Sequence, residues 1–559
     1  MRSSESGSNV YYEAFQAWRN AHAQFKAAVA KYSDACSAFD AVCSGPSAQH
    51  GTQSMLEDAL AALDSELPGL ELDIKQAMTA NGVLKALRNK SATVVPINKL
   101  PSELLLRIFG LLCHSRQDLC GADNPSRPPR ILACVNTYWR GLVLNNSYLW
   151  TRINLASLDR RSKKPLGHTQ AQVTWTGTLP LDVVLDGTRQ RHRRSVFQET
   201  RDLLREVAPR LRSLTYHADD SMGCSPHEIL LHWIRHGTPG SGHTLKLLRY
   251  SSAEVDDLRL ELLLVYSISI EQMNAFFAPV RHLALHNHYI GWSSVLYHNL
   301  VELDLCFDSS FLYFPTTSEF AAVLSASPGL RTLKLFGFGL QPPSPSDAMG
   351  LVHLDHLETL FLKRIHRRSL KLLLPMLQPG STPLYMRFDV PKRSADTVYY
   401  AQLLQRSNIT KLMVKGNGKS PPQSLLASLA GVQHLLLYNF DIDILFWESM
   451  HNPLVPYSNE QYPSAWPSLR TLHLFECDFY GSKYKHYLKE PIPYNFMLWI
   501  WDGDQFYEMD GSRIKRNSSK ARKILGVLSR YVPGMQEVQD NRTVMFEAWR
   551  SALDFAPYF

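Results

Sequence analysis

Beyond Gly187 one spacing recurs along the chain: an apolar residue, a second three positions on, and a third two positions after that. It reads Leu211/Leu214/Tyr216, Leu245/Leu248/Tyr250, Val280/Leu283/Leu285, Leu300/Leu303/Leu305, Leu330/Leu333/Leu335 and Leu357/Leu360/Leu362. It continues as Tyr385/Phe388/Val390, Ile409/Leu412/Val414, Val432/Leu435/Leu437 and Leu469/Leu472/Leu474. The last two positions of each set are two apart, the period of a β-strand with one buried face. Successive starts lie 20 to 37 residues apart, room for a short strand and a returning helix or loop. A piece that small cannot bury its own apolar face, so ten of them in one register predict a stack with a continuous core.

The spacing straddles the period of about 20 to 29 residues that marks leucine-rich repeats. The chain from about Arg210 to Tyr480 therefore resembles an irregular leucine-rich-repeat solenoid. The set starting at Leu469 carries the fullest pattern, with Cys477 at the buried polar position that bonds the turn backbone. Most other sets lack Asn or Cys there. An ordinary α/β domain with leucine-rich strands is the alternative. Phe496 to Met509 predicts two strands joined at the Asp502-Gly503 turn, and helices at Lys520 to Tyr531 and Asn541 to Asp554 are expected to close the end of the stack.

The N-terminal region has a different period. Phe15, Trp18, His22, Phe25, Val29, Tyr32, Cys36, Phe39 and Cys43 alternate in steps of three and four, the seam of one long helix that Ser44-Gly45-Pro46 ends. Leu56, Leu60, Leu63, Leu67, Leu70 and Ile74 repeat the spacing, with a kink or break expected at Pro68-Gly69. The two predict a helical hairpin that packs on itself. A coiled-coil dimer is the other reading, although aromatic, His and Cys residues fill such seams less well than Ile and Leu.

Between these regions Leu100-Pro101-x-Glu103-Leu104-Leu105-x-x-Ile108-Phe109 opens an amphipathic helix that Ser102 can cap, and Val135-x-x-x-Trp139-Arg140 and Leu149-Trp150 follow. Some fifty residues cannot hide that much apolar surface alone, so part of it must meet a partner or the neighbouring repeats. These residues resemble the F-box, a short all-α module that docks its protein onto a Skp-type adaptor of a cullin-based ubiquitin ligase. Fungal F-box proteins in particular look like the whole arrangement of helical segment, motif and repeats. The resemblance implies that Leu100, Pro101, Leu104, Leu105, Ile108, Phe109, Leu132, Val135, Trp139 and Trp150 meet the adaptor. The family's usual Cys after the Val is Asn136 here, and Gln117 to Arg130 holds an insertion rich in Asp, Pro and Arg.

The expected fold is thus a multidomain α+β chain: a helical segment over 1–92, the F-box over 93–156, a connecting segment over 157–208, and the solenoid with its cap over 209–559. The resemblance implies a non-catalytic, substrate-recognition subunit whose partners are a Skp-type adaptor, through it a cullin, and a target protein. An F-box scaffold acting outside ubiquitination and a nucleic-acid-binding protein are the alternatives. Strand residues alternating with the core, among them Lys334, Phe336, Phe361, Lys363, Tyr438, His473 and Phe475, are the expected target surface. Others on that face are His282, His286, Glu302, Asp304, Arg387, Lys411 and Lys415. An aromatic cluster at Phe336, Phe361, Tyr438 and Phe475 would mark an interface if exposed.

The remaining features point away from chemistry. Eight cysteines lie scattered without a Cys-x-x-Cys pair, the pattern of reduced thiols in a cytoplasmic or nuclear protein, and no metal or cofactor is expected. Gly416 to Ser420 partly matches a phosphate loop, but Pro421-Pro422 stand where a helix should start, so a turn is expected. The 59 basic and 51 acidic residues give a net charge of +8, a mild bias. Basic clusters at Arg189 to Arg194 and Arg513 to Lys523 lack interleaved aromatics, which makes nucleic acid an unfavoured partner. No apolar run reaches the ~20 residues that span a bilayer.

Overall fold

The computed structural model describes residues 5–44, 53–90, 94–114, 127–155, 167–186, 194–218, 226–249, 268–308, 311, 313–341, 350–391, 393–442, 446, 466, 468–475, 477–479, 497–501, 505–507, 513–515 and 536–537. The chain divides into two compact parts, 1–101 and 102–559. Among the described residues no helix is long and apolar enough to cross a membrane.

The first part is built on two long helices, α1 (Glu5–Cys43) and α2 (Gln53–Lys90). α1 stops at the expected point, but α2 runs through Pro68 without a break. The expected mutual packing is absent. Phe15, Phe25, Val29 and Tyr32 on α1 and Leu60, Leu67 and Ile74 on α2 all remain about half exposed. Neither stripe covers the other.

The second part opens with three helices, α3 (Ser102–His114), α4 (Arg127–Val135) and α5 (Thr137–Leu144). Among the described residues a parallel sheet of fourteen strands follows. Its members are β1 (Arg152–Asn154), β2 (Leu181–Asp186), β3 (Leu211–Ala218), β4 (Thr244–Arg249), β5 (His282–His286), β6 (Glu302–Cys306) and β7 (Thr332–Phe336). The rest are β8 (Thr359–Lys363), β9 (Leu384–Asp389), β10 (Ile409–Lys415), β11 (His434–Tyr438), β12 (Thr471–Phe475), β13 (Met497–Trp501) and β14 (Gln536–Glu537). Each strand pairs with its neighbours in chain order, and helices such as Thr317–Ser325 and Thr397–Arg406 connect them. Leu283, Leu303, Leu333 and Leu360 stand side by side in the pairing, as do Leu285, Leu305, Leu335 and Leu362, and all belong to one continuous core.

Each of the ten sets lies at a strand, Tyr250 being outside the described residues, but two differ in register from the strand pairing. Pairing aligns Leu245 with Leu283 and Leu247 with Leu285, so the fourth-strand set is Gly242/Leu245/Leu247. The leading position holds glycine because the fully buried Trp233 occupies its place: a Cβ on Gly242 would meet the Trp233 ring at 2.6 Å. In β9 the aligned set is Pro383/Met386/Phe388, and an irregularity at Leu384/Tyr385 shifts the strand against β10.

The sheet is longer than the sets predict. Ile153 and Val183 align with Leu214, so Trp150/Ile153/Leu155 and Pro180/Val183/Leu185 are further repeats. The stretch 157–208, expected as a connection, therefore contributes β2 and packed helices. At the other end, β13 joins the sheet beside β12, and Gln505–Tyr507 pairs instead with Arg513–Lys515. The hairpin expected across Asp502-Gly503 does not form. The closing helices expected at Lys520 to Tyr531 and Asn541 to Asp554 lie outside the described residues, as does the basic run from Arg189 to Arg193.

The turn after each strand has its own register. Asn287, Gly337, Arg364 and Asn439 occupy equivalent positions and all adopt positive φ between 50° and 59°. At Gly337 the demand is absolute, since a Cβ would lie 1.9 Å from the Phe307 carbonyl oxygen. Gly416 sits in the same place in its repeat and donates its N–H to the Tyr438 carbonyl, so the phosphate-loop lookalike is a repeat turn. Cys477 is buried as expected, and its Sγ lies 3.5 Å from the Leu437 carbonyl oxygen.

Candidate functional site

α3 carries apolar residues on two sides. Leu105, Phe109 and Cys113, spaced four apart, turn inward and are buried. The Phe109 ring meets Trp139 of α5 at 4.7 Å between centroids. Burial pushes the Cys113 thiol up to about 12, so it is an inert packing group. Leu104, Ile108, Leu111 and Leu112 stay exposed, at 47%, 37%, 68% and 52%, the first three turned away from the buried residues. α4 repeats the division, with Leu132 buried and Ile131 and Val135 exposed.

The helices are fixed to one another and to the sheet by specific polar contacts. Asn136 caps α5, its side-chain oxygen accepting the Trp139 backbone N–H at 2.7 Å. The residue at which the sequence departs from the F-box pattern is therefore a capping residue. Trp150 donates its indole N–H to the Val143 carbonyl at 2.8 Å and packs against Trp175 of α6 (Gly167–Trp175). Gln172 on α6 reaches the carbonyls of Trp150 and Arg152, both at 2.8 Å. His114 closes the far end of α3: Nε2 lies 3.2 Å from Thr151 Oγ1 and the ring stacks on Tyr148. Burial lowers its pKa, against the opposing pull of the Gly110 carbonyl.

The ten residues expected to meet an adaptor thus take different places. Leu104, Ile108 and Val135 are exposed on the outer side, while Leu105, Phe109, Leu132 and Trp150 are buried and hold the module together. Trp139 is half-buried against Phe109. Leu100 and Pro101 belong to the first part of the chain, where Leu100 caps the short turn Pro96–Lys99 and Pro101 is exposed. Leu111, Leu112, Ile131, Tyr138, Leu144 and Tyr148 are exposed apolar residues that the motif does not single out. The sequence carries a signal for the first two: Leu104-Leu105, Ile108-Phe109 and Leu111-Leu112 are adjacent apolar pairs, which a helix sends to different sides. Most of the insertion, including Leu119, lies outside the described residues.

The sheet face turned away from the core holds the other candidates. Strands about 4.8 Å apart bring equivalent side chains into contact across the sheet. Glu302 receives Lys334 Nζ at 2.9 Å and lies 3.4 Å from His282 Nδ1. Burial alone would raise its pKa, yet the nearby His282 ring and the Lys334 ammonium overcome this and hold the carboxyl well below the usual range. His286 pairs with Asp304 at 3.3 Å. Further on, Lys363, Arg387 and Lys415 surround Asp389, whose pKa burial still raises. Burial pushes Lys363 down to about 8, with Arg387 and Lys415 adding to it against the attraction of Asp389.

Two of the aromatics of this face are closed off, and the side chain of Phe475 lies outside the described residues. Phe361 and Phe336 are buried, with Lys334 Nζ 6.0 Å from the first ring and Lys363 Nζ 5.0 Å from the second. Lys415 lies 4.9 Å from the half-buried Tyr438 ring. Long cationic side chains one strand away cover the rings, which is why alternation in the sequence predicts the face but not its exposure. His473 is also buried, and burial lowers its ring to about 4. Phe475 pairs through its backbone with Tyr438.

No protein-family model matches the chain, and comparison with curated proteins gives no significant match.

Proposed function

We propose that this protein is the substrate-recognition subunit of a Skp-cullin-F-box type ubiquitin ligase. In this reading α3 to α5 are an F-box that docks on the adaptor, and the strands with their helices are an irregular leucine-rich-repeat solenoid that holds the target protein. One observation carries it. The motif helix uses Leu105, Phe109 and Cys113 to hold itself in place and leaves Leu104, Ile108, Leu111 and Leu112 uncovered. A helix with a second apolar face has a partner for it. The polar links from Trp150, Gln172 and His114 fasten the module to the first strand, so the docking face and the target-holding repeats would move as one piece. Phe336, Phe361 and the cations over them would then shape the target surface as charged groups on a closed aromatic layer.

The test is co-purification of the full chain with a Skp-type adaptor and a cullin. Ile108→Glu/Leu112→Glu, on the uncovered face, is expected to abolish adaptor capture while leaving the melting temperature of the sheet within a few degrees of the parent. Failure of the unaltered protein to capture the adaptor removes the proposal. Targets would then be sought among proteins that accumulate when the gene is deleted.

A further inference from the structure

Along α1 the aromatic residues fall in strict sevens: Tyr11, Trp18, Phe25, Tyr32 and Phe39. Three positions after the first four stand Ala14, Ala21, Ala28 and Ala35, again in sevens. On a helix, residues three apart share a face, so each ring is followed by a small residue that leaves a notch beside it. The rings fall along one side of the helix, and near its start Phe15 stacks on Trp18 at 5.8 Å and Trp18 on His22 at 5.3 Å. The strip is open, since Trp18 is 41%, Phe25 53% and Tyr32 52% exposed.

We propose that this strip is the seam of a homodimer, in which α1 of one copy packs along α1 of a second copy of the same chain. Three features favour that occupant. Knob and notch recur on the same helix with the same period, so the surface is complementary to itself, the condition for a two-fold contact. α2, the nearest alternative in sequence, leaves the strip uncovered and exposes a stripe of its own. The area is also sufficient. Large aromatics bury roughly 150–250 Å² each, so covering the open half of six per helix, Phe15 included, removes about 1,200 Å² from two copies, the lower end of stable interfaces. The alanine flank sets no like charges against each other. This inference does not depend on the ligase reading.

Sedimentation equilibrium of the full chain at micromolar concentration tests it. The expected mass is twice that of the 63.5 kDa chain. Phe25→Ala/Tyr32→Ala should weaken the dimer by about a hundredfold or more, as loss of central aromatic anchors does. Alanine is a better helix former than either residue, so circular dichroism should show the helix content retained. Leu60→Ala/Leu63→Ala on α2 should leave the mass unchanged. A monomeric parent protein, a mass other than twice the chain's, or an α1 variant that stays dimeric overturns the proposal. So does an α2 variant that dissociates as fully as the α1 variant, which would assign the association to α2.

Discussion

The strands of the sheet and helix α3 draw on the same leucine-rich vocabulary, yet Leu333 on β7 has no exposed surface and Leu104 on α3 has nearly half of its own. In the sheet the leucines occur with period two, so all of them face one way and each lies beside its counterpart on the next strand. On α3 they occur in adjacent pairs, Leu104-Leu105 and Ile108-Phe109, which a helix sends to different sides. One member of each pair is consumed by the fold. The other is left exposed, so the same leucine content yields a closed core in the sheet and an open apolar side on the helix.

Substitutions on the two kinds of position should separate by the largest margin. Leu333→Ala empties a closed site and should cost about 2–5 kcal/mol, and Phe109→Ala about 3–5 kcal/mol. Leu104→Ala, on the same helix as Phe109, should change stability by no more than about 0.5 kcal/mol. Urea unfolding of the three variants measures this. If Leu104→Ala costs as much as Leu333→Ala, the outer side of α3 is core and the contrast is broken.

The second sheet face differs from the first in a way that pH exposes. Glu302 is ionised between Lys334 and His282 with its side chain only 16% exposed, and its pKa in the folded protein is depressed. A carboxyl depressed on folding stabilises fully above its unfolded value, near 4.3, and the contribution is lost as pH falls from there toward the folded value. Glu302→Gln should therefore cost about 1.5 kcal/mol at neutral pH, the scale of a hydrogen bond to a charged group. The difference from the parent should shrink as the pH falls below about 4. A gap that stays constant from pH 7 to pH 3 would show that Glu302 acts through packing.

What the sequence reveals follows the same division. Eight of the ten repeats keep the frame their leucines predict, because period two and strand pairing demand the same residues. The fourth-strand repeat slips because Trp233, on the preceding helix, fills the space of its leading leucine, and no spacing rule within the strand reports that. The repeats at Trp150 and Pro180 escape because their first positions are not aliphatic. In the site, the motif locates the helix but not its outward side, since Phe109 faces inward against Trp139, a residue thirty positions away in sequence. The sheet aromatics face the expected way but are closed over by Lys334 and Lys363, each contributed by a neighbouring strand.

The smallest expected effect sharpens the comparison at the boundary between the two regions. Asn136 is where the sequence departs from the F-box pattern, and it caps α5 by accepting the Trp139 N–H. Losing such a cap costs typically about 1 kcal/mol. Asn136→Ala should therefore lower stability by about that amount, while Asn136→Asp should retain most of it, because a carboxylate accepts the same hydrogen bond at a helix N-terminus. Thermal melting of the two variants distinguishes a capping role from a packing one. The cap also sets where Trp139 begins its helix, and through Trp139 the seat of Phe109. Under the docking function proposed above, Asn136→Ala should weaken adaptor capture more than Leu333→Ala does at equal fractions of folded protein, although Asn136 does not belong to the uncovered face. Equal capture by the two variants would separate the cap from the docking surface and leave it a purely local element of α5.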